Sequence, residues 1–208
     1  MKHIVLKIDG KSICEFNSVR IEAIKRILTT KEVKLSDVAV GETAIIGGYE
    51  FIVLEHTKET THVISRFPLL KSVRFGKFNN YNGSVVDAIC NGFAAEIAET
   101  VGSKNIVEHT VDLTSDEGLD NYGKIRRKMS SLTCDIFRKY VQILNKYEIS
   151  KWWWLATPYN GGNAYDWIKC ASPYGYIGNG RNDYCAGIRP YCILKSNIIV
   201  DKHEEVSK

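Results

Sequence analysis

No apolar run in this 208-residue chain approaches the roughly 18 residues that span a bilayer. The opening stretch, MKHIVLKIDGKSIC, is interrupted by Lys2, Lys7 and Asp9, so it lacks the unbroken core of a secretory signal. Membrane insertion is therefore not expected, and synthesis in the cytoplasm without a signal peptide is. The chain also lacks any CxxC pair. Cys14, Cys90, Cys134, Cys170, Cys185 and Cys192 show no zinc-ligand spacing, and most sit among apolar neighbours, as small reduced core residues do. His3, His56, His62, His109 and His203 are dispersed, and none pairs at a metal spacing. The acidic stretch 114–123 departs from the calcium-loop pattern and reads as a structural loop. No metal, cofactor or catalytic residue is expected. The net charge of +4 is modest and, KIRRK (124–128) apart, the basic residues are scattered, so no nucleic-acid footprint is expected. Internal repeats and low-complexity tracts are missing as well.

One further absence is local. Residues 152–190 contain no Glu, Gln or Met. Instead, five of the 11 tyrosines (Tyr159, Tyr165, Tyr174, Tyr176 and Tyr184) fall within the 27 residues 158–184, with Asn160, Asn163, Asn179, Asn182, Asp166 and Asp183. Tyr gives a large, stiff, amphipathic contact face at little entropic cost, and Asn, Asp, Ser and Gly give short adaptable hydrogen-bonding groups. A segment placed for folding alone would favour β-branched residues on one face and Lys or Glu on the other. A plain glycine-rich surface meander is the competing reading. Binding is favoured by the frame: WWW before the run and CILKSNIIV after it are rigid apolar brackets, and binding loops are commonly held by such scaffolds.

The length suits one domain with a small appendage. Ile4, Leu6 and Ile8 alternate, Asp9-Gly10 is a strong two-residue turn and 13–16 returns, which predicts a hairpin. Asn17 or Ser18 can cap a short helix with Ile21, Ile24, Ile27 and Leu28 on one face. Residues 1–36 thus read as a hairpin–helix appendage suited to docking or oligomerisation. The main domain, 37–200, opens with short antiparallel strands at 43–46, 50–55 and 62–66. Ser84 caps a helix to about Val101, striped by Ile89, Phe93, Ile97 and Val101 and stopped by Gly102. Thr133 caps a second, with Phe137, Tyr140, Val141 and Leu144 inward. An apolar strand over 191–200 is expected to pair with the early strands, and 201–208 to form a disordered polar tail. This order predicts an α+β domain, a mostly antiparallel sheet flanked by two helices.

GETAIIGGYEFIVLE, the helix containing ICNGF, then VDLTSDEGLDNYG, SSLTCDIFRKY, WWWLATP and GIRPYCIL follow one another over about residues 37–197. In that order they resemble a family of small proteins of unknown function from Gram-positive gut bacteria and their phages. Its members carry WWLRSPG or WWLATP near the start of the C-terminal third and GVRP near the end. Here Ala156-Thr157 stands for the commoner Arg-Ser, and Ile188 for Val. The resemblance implies a C-type-lectin-like fold, shared with formylglycine-generating enzymes and with the variable proteins of diversity-generating retroelements. It offers no counterpart to residues 1–36. In retroelement-diversified proteins, altered adenines in AAC-like codons yield Asn, Tyr, Asp, Ser, Gly, His, Arg or Cys. The polar run has that bias, with Trp167 and Lys169 as exceptions.

By this resemblance Trp152, Trp153, Trp154, Gly187, Arg189 and Pro190 form a fixed frame, with Arg189 bonding backbone carbonyls beneath the site. Tyr159, Asn160, Asn163, Tyr165, Asp166, Tyr174, Tyr176, Asn179, Arg181, Asn182, Asp183 and Tyr184 form an exposed ligand-binding face, and Ile168, Cys170 and Ile177 turn inward. The implied function is non-enzymatic: a phage or prophage receptor-binding or display protein for a host-surface protein or glycan, virion-associated if phage-encoded. Residues 1–36 would then serve homo-oligomerisation or docking to a phage particle. A structural tail or baseplate accessory is the alternative. An oxidase-like enzyme on the formylglycine-generating scaffold is weaker, because Cys170, Cys185 and Cys192 lack the close pair of such oxidases.

Overall fold

Both described α-helices begin at a hydroxyl residue that accepts from an otherwise unpaired backbone N–H. Ser84 Oγ accepts from Asp87 N at 3.0 Å ahead of α1 (Val85–Val101), and Thr133 Oγ1 from Ile136 N at 3.4 Å ahead of α2 (Cys134–Leu144). Gly102 ends α1 at φ 83°, a conformation glycine adopts without steric cost. Val86, Cys90, Phe93, Ala94 and Ile97 form the buried stripe of α1, while Ile89 and Val101 sit half-buried at its margins. α2 buries Phe137, Tyr140 and Leu144.

The computed structural model describes the backbone of residues 4–8 and 11–16 and all of 30–160 and 166–203. The expected Asp9-Gly10 turn and the helix carrying Ile21, Ile24, Ile27 and Leu28 lie outside the described residues. β1 (Ile4–Ile8) and β2 (Lys11–Phe16) pair as an antiparallel hairpin. The larger sheet draws on β3 (Thr30–Lys34), β4 (Thr43–Ile46), β5 (Tyr49–His56), β6 (Thr60–Ser65), β8 (Ile106–Val107), β11 (Met129–Ser130), β16 (Tyr191–Lys195) and β17 (Ile199–His203). Its order is β11-β16-β6-β5-β4-β17-β3, with β8 also on β16. The smaller sheet consists of β7 (Leu70–Arg74), β12 (Trp153–Pro158), β13 (Trp167–Ala171), β14 (Ile177–Arg181) and β15 (Cys185–Ile188), in the order β14-β13-β12-β15-β7. β9 (His109–Asp112) and β10 (Lys124–Arg127) make a separate ribbon. Among the described strands the pairing is antiparallel except between β12 and β15. The chain is thus α+β, with two described helices and mostly antiparallel sheets.

Period-two alternation along β5 lets the larger sheet be covered on both faces. Phe51 and Val53 pack with Phe93 and Ile97 of α1, whereas Ile52 and Leu54 pack with Phe137 and Tyr140 of α2. A third cluster joins Phe75, Tyr81 and Val86 to Trp154 and Ile168 of the smaller sheet. No described helix is long and apolar enough to cross a membrane.

The chain ends depart from expectation. β17 pairs with β3 from Ile199↔Lys34 to His203↔Thr30. Residues 30–34 therefore belong to the larger sheet rather than to an appendage ending at 36, and 201–203 are strand rather than polar tail. Charge disguised both strands: Lys31, Glu32 and Lys34 face solvent while Val33 packs on the core, a pattern typical of a protected edge strand. Residues 204–208 lie outside the described residues. The single strand expected over 191–200 breaks at 196–198, where Ser196 N donates to Glu59 O. Its two halves still pair with early strands, β16 with β6 and β17 with β3 and β4.

His109 is buried against this sheet, with Nε2 2.9 Å from Ser130 Oγ and its ring 5.2 Å from that of Tyr191. Burial, reinforced by His62 and Arg126, pushes its pKa down to about 4. A histidine depressed on folding contributes stability above its unfolded pKa of about 6.5, and that contribution is lost as pH falls toward the folded value. Denaturant titrations should show a loss of order 3 kcal/mol between about pH 6.5 and 4. His109→Gln should flatten that slope, and an unchanged slope would contradict the assignment.

Candidate functional site

Alternation along β12 sends Trp153 to one face of the smaller sheet and Trp154 to the other. Trp153 meets Phe137 edge-on at 5.7 Å. Trp154 meets Phe75 edge-on at 5.5 Å and donates Nε1–H to the Val73 carbonyl at 2.8 Å. The β13–β14 hairpin meets the indoles with glycine. A Cβ at Gly178 would stand 2.8 Å from the Trp152 ring, and one at Gly180 would stand 2.6 Å from the Trp154 ring. These glycines are required by the space the rings occupy. Trp152, expected in the buried frame, keeps 44% of its surface exposed, because it lies just ahead of β12 and reaches out along Gly178.

The rest of the frame is fixed by backbone bonds. Gly187 N donates to Trp152 O at 2.8 Å, and Pro190 O accepts from Ser65 N at 2.9 Å. Arg189 is fully buried; its Nε donates to Ser65 O at 3.0 Å and its guanidinium lies 5.0 Å over the Trp153 ring. Burial pushes its pKa down to about 9.

β13 and β14 pair from Trp167↔Arg181 to Ala171↔Ile177, so the candidate residues gather at two ends of the hairpin, about 13 Å apart. At one end Tyr174 and Tyr176 are 78% and 69% exposed on a turn whose N–H groups bond Ser172 Oγ. Beside it lies a cleft of about 940 Å³ bordered by Phe67, Pro68, Lys71, Tyr147, Lys151 and Tyr174. At the other end Asp166, Asp183 and Tyr184 are exposed. Arg181 bonds Asp183 at 3.2 Å and lies 5.9 Å from the Tyr184 ring. Tyr159 is half-buried with Lys169 Nζ 4.9 Å over its ring, and Asn160 is half-buried. Asn179 is exposed midway along β14.

Asn182 does not join the exposed face. It is 8% exposed, donates Nδ2–H to Lys77 O at 2.7 Å, and its N donates to Asp166 O at 2.7 Å, so it ties the loop after β7 to the hairpin. Asn163 and Tyr165 lie outside the described residues. Ile168 and Cys170 are buried and Ile177 half-buried, as expected.

Three features escaped the sequence reading. Trp167 is exposed at the start of β13. Asn79 is fully buried, donating Nδ2–H to Asn160 O at 3.1 Å and Trp167 O at 3.3 Å while Oδ1 accepts from Tyr122 Oη at 2.6 Å. Nothing in the run NNYNG separates Asn79 from Asn80 or Asn82. Lys169, the odd cation of the polar run, is buried and lies 2.7 Å from Asp116 Oδ2, whose other oxygen takes Arg138 at 3.1 Å. Lys169 first, and Arg138 with it, hold the Asp116 carboxyl below the usual range despite partial burial. The acidic loop is thereby pinned to the sheet.

Among the described residues no three His, Cys, Asp or Glu side chains converge as a metal set. Burial pushes the Cys170 thiol up to about 12 and raises that of Cys192 as well. The chemistry on offer is stacking, hydrogen bonding and weak charge. No protein-family model, curated protein or solved structure matches the chain.

Gly180→Ala should cost about 2 kcal/mol or more, because bonds to Val73 and packing on Phe75 hold Trp154 in place. Gly178→Ala should cost less, since the half-exposed Trp152 can swing outward. Adding Trp154→Phe to Gly180→Ala should recover part of the loss in urea denaturation. Strict additivity of the two changes would exclude the ring–glycine contact as their cause.

Proposed function

We propose that this is a non-enzymatic ligand-binding protein on a C-type-lectin-like fold, a phage or prophage receptor-binding or display protein whose C-terminal surface takes a host-surface protein or glycan. One observation carries the reading: Trp152, Trp167, Tyr174, Tyr176 and Tyr184 are all exposed around one hairpin whose own glycines are packed. Large aromatics left in solvent on a rigid support are the usual anchors of an interface. Asp166, Asn179, Arg181 and Asp183 supply a polar rim between and beside them. The cleft at the Tyr174 end adds a concave seat.

The same layout suits a diversified surface. Substitution at Tyr174, Tyr176, Asn179, Asp183 or Tyr184 leaves the glycine–indole contacts untouched, whereas Gly178, Gly180 and Asn182 are tied to packing. Antiparallel sheets with two helices agree with the fold that the motifs imply. Two of the three candidate thiols, Cys170 and Cys192, are buried and pushed up in pKa, which favours the non-enzymatic reading; Cys185 is exposed.

Labelled protein titrated onto Gram-positive gut bacterial cells tests the reading. Replacing Tyr174, Tyr176 and Tyr184 together with Ala should weaken binding by about a hundredfold and leave the unfolding midpoint unchanged. Equal binding by the wild type and the triple variant would overturn it.

A further inference from the structure

We propose that the open edge of β14 takes up an extended polypeptide segment of the ligand as an additional strand of the smaller sheet. This rests on the ligand-binding reading above and narrows the ligand to a polypeptide. β14 is terminal in its sheet. The bonds Ser172 N to Tyr176 O at 2.8 Å and Asn182 N to Asp166 O at 2.7 Å bracket the β13–β14 register and set its phase. Between them Cys170↔Gly178 and Ile168↔Gly180 are the hydrogen-bonded pairs, so both glycines turn their backbone groups toward β13. Ile177 and Asn179 turn theirs the other way, as does the Arg181 N–H, while the Arg181 carbonyl accepts from Tyr184 N. No described residue pairs with this side of the strand. Alternating donors and acceptors at strand spacing match an extended backbone; a saccharide offers no such repeat.

Two other outer strands are defended by charge. β3 carries Lys31, Glu32 and Lys34, and β7 carries Lys71 and Arg74. β14 reads IGNGR, with neither Lys, Asp, Glu nor Pro, and its one cation is matched by Asp183 at 3.2 Å. Its glycines leave no side chain overhanging the edge at 178 or 180. The exposed Trp152 ring lies against Gly178, where an incoming strand would set an apolar side chain. On the opposite face the Asn179 amide meets a polar neighbour. A second copy of the chain is a poorer occupant, because a five-residue strand paired with itself falls well short of the roughly 1,200–2,000 Å² of a stable interface. Strand addition of a peptide needs only main-chain bonds and a few side-chain seats.

Asn179→Pro removes an outward N–H and leaves the β13–β14 bonds in place, as proline on an edge strand does; Asn179→Ala keeps that N–H. Random linear displayed peptides are selected on the full wild-type chain, and enriched peptides are remade with alternate backbone N-methylation. The expected peptides bind Asn179→Ala like wild type, weaken about tenfold or more on Asn179→Pro, and lose binding when one alternate set of amides is methylated but not the other. In the wild-type complex, amide exchange at Ile177 and Asn179 should slow, a readout independent of how the variants fold. No enrichment, equal binding to Asn179→Pro, or unchanged exchange at 177 and 179 would overturn the inference. So would a concentration-dependent dimer that Asn179→Pro abolishes, which would assign the edge to a second copy. Bacterial-cell binding lost in the tyrosine triple variant but intact in Asn179→Pro sinks strand addition and leaves the surface reading standing. The reverse pattern supports the edge and removes the tyrosine anchors.

Discussion

The rings of Trp152 and Trp154 fill the volume that side chains at 178 and 180 would otherwise occupy, and the smaller sheet depends on that exchange. Burying an indole such as that of Trp154 contributes roughly 2–3 kcal/mol, but only if the facing strand offers no Cβ. β12 is tied on several sides at once. It pairs with β13 and β15, and a register irregularity between Trp154 and Pro158 turns its middle toward the start of α2. There Ala156 N donates to Leu132 O at 2.8 Å and Thr157 Oγ1 accepts from Cys134 N at 2.9 Å. The hairpin that carries the exposed aromatics is therefore fastened to a strand that is itself fastened to a helix and to the sheet beyond.

This arrangement separates two demands on the same short segment. Cohesion falls on residues that point inward or lack side chains: Ile168, Cys170, Gly178 and Gly180, with Asn182 and Asn79 stitching loops from below. Exposure falls on residues that touch little of their own molecule, chiefly Tyr174, Tyr176 and Tyr184. Asp116, Lys169 and Arg138 hold the acidic loop against the middle of β13 and leave the exposed tyrosines out of that network.

The helices and the α+β class were legible because their determinants are local: Ser84 and Thr133 are caps, and the apolar stripes recur at helical spacing. Strands β3 and β17 were not. In β3 the charges that protect an edge look the same in sequence as a polar linker, and in β17, seated between β4 and β3, Asp201 and Lys202 look the same as a polar tail. The candidate surface was legible as composition but not as orientation. Asn179 and Asn182 are the same residue type three positions apart, yet one is exposed on a strand and the other buried against Lys77 O. That outcome follows from the phase set by the 172–176 turn and from a partner more than a hundred residues away in the chain. The spacing Trp-x-Trp against Gly-x-Gly was present in the sequence, but only the antiparallel register puts the two patterns face to face.

Residue-resolved native-state amide exchange on the unliganded chain tests most directly whether the hairpin is a rigid display element. The account predicts that Gly178 and Gly180, bonded to β13 beneath the indoles, exchange only through openings close to global unfolding, while Ile177 and Asn179 between them exchange quickly. Fast exchange at Gly178 and Gly180, matching that of surface loops, would show that the glycine–indole contact does not hold the hairpin.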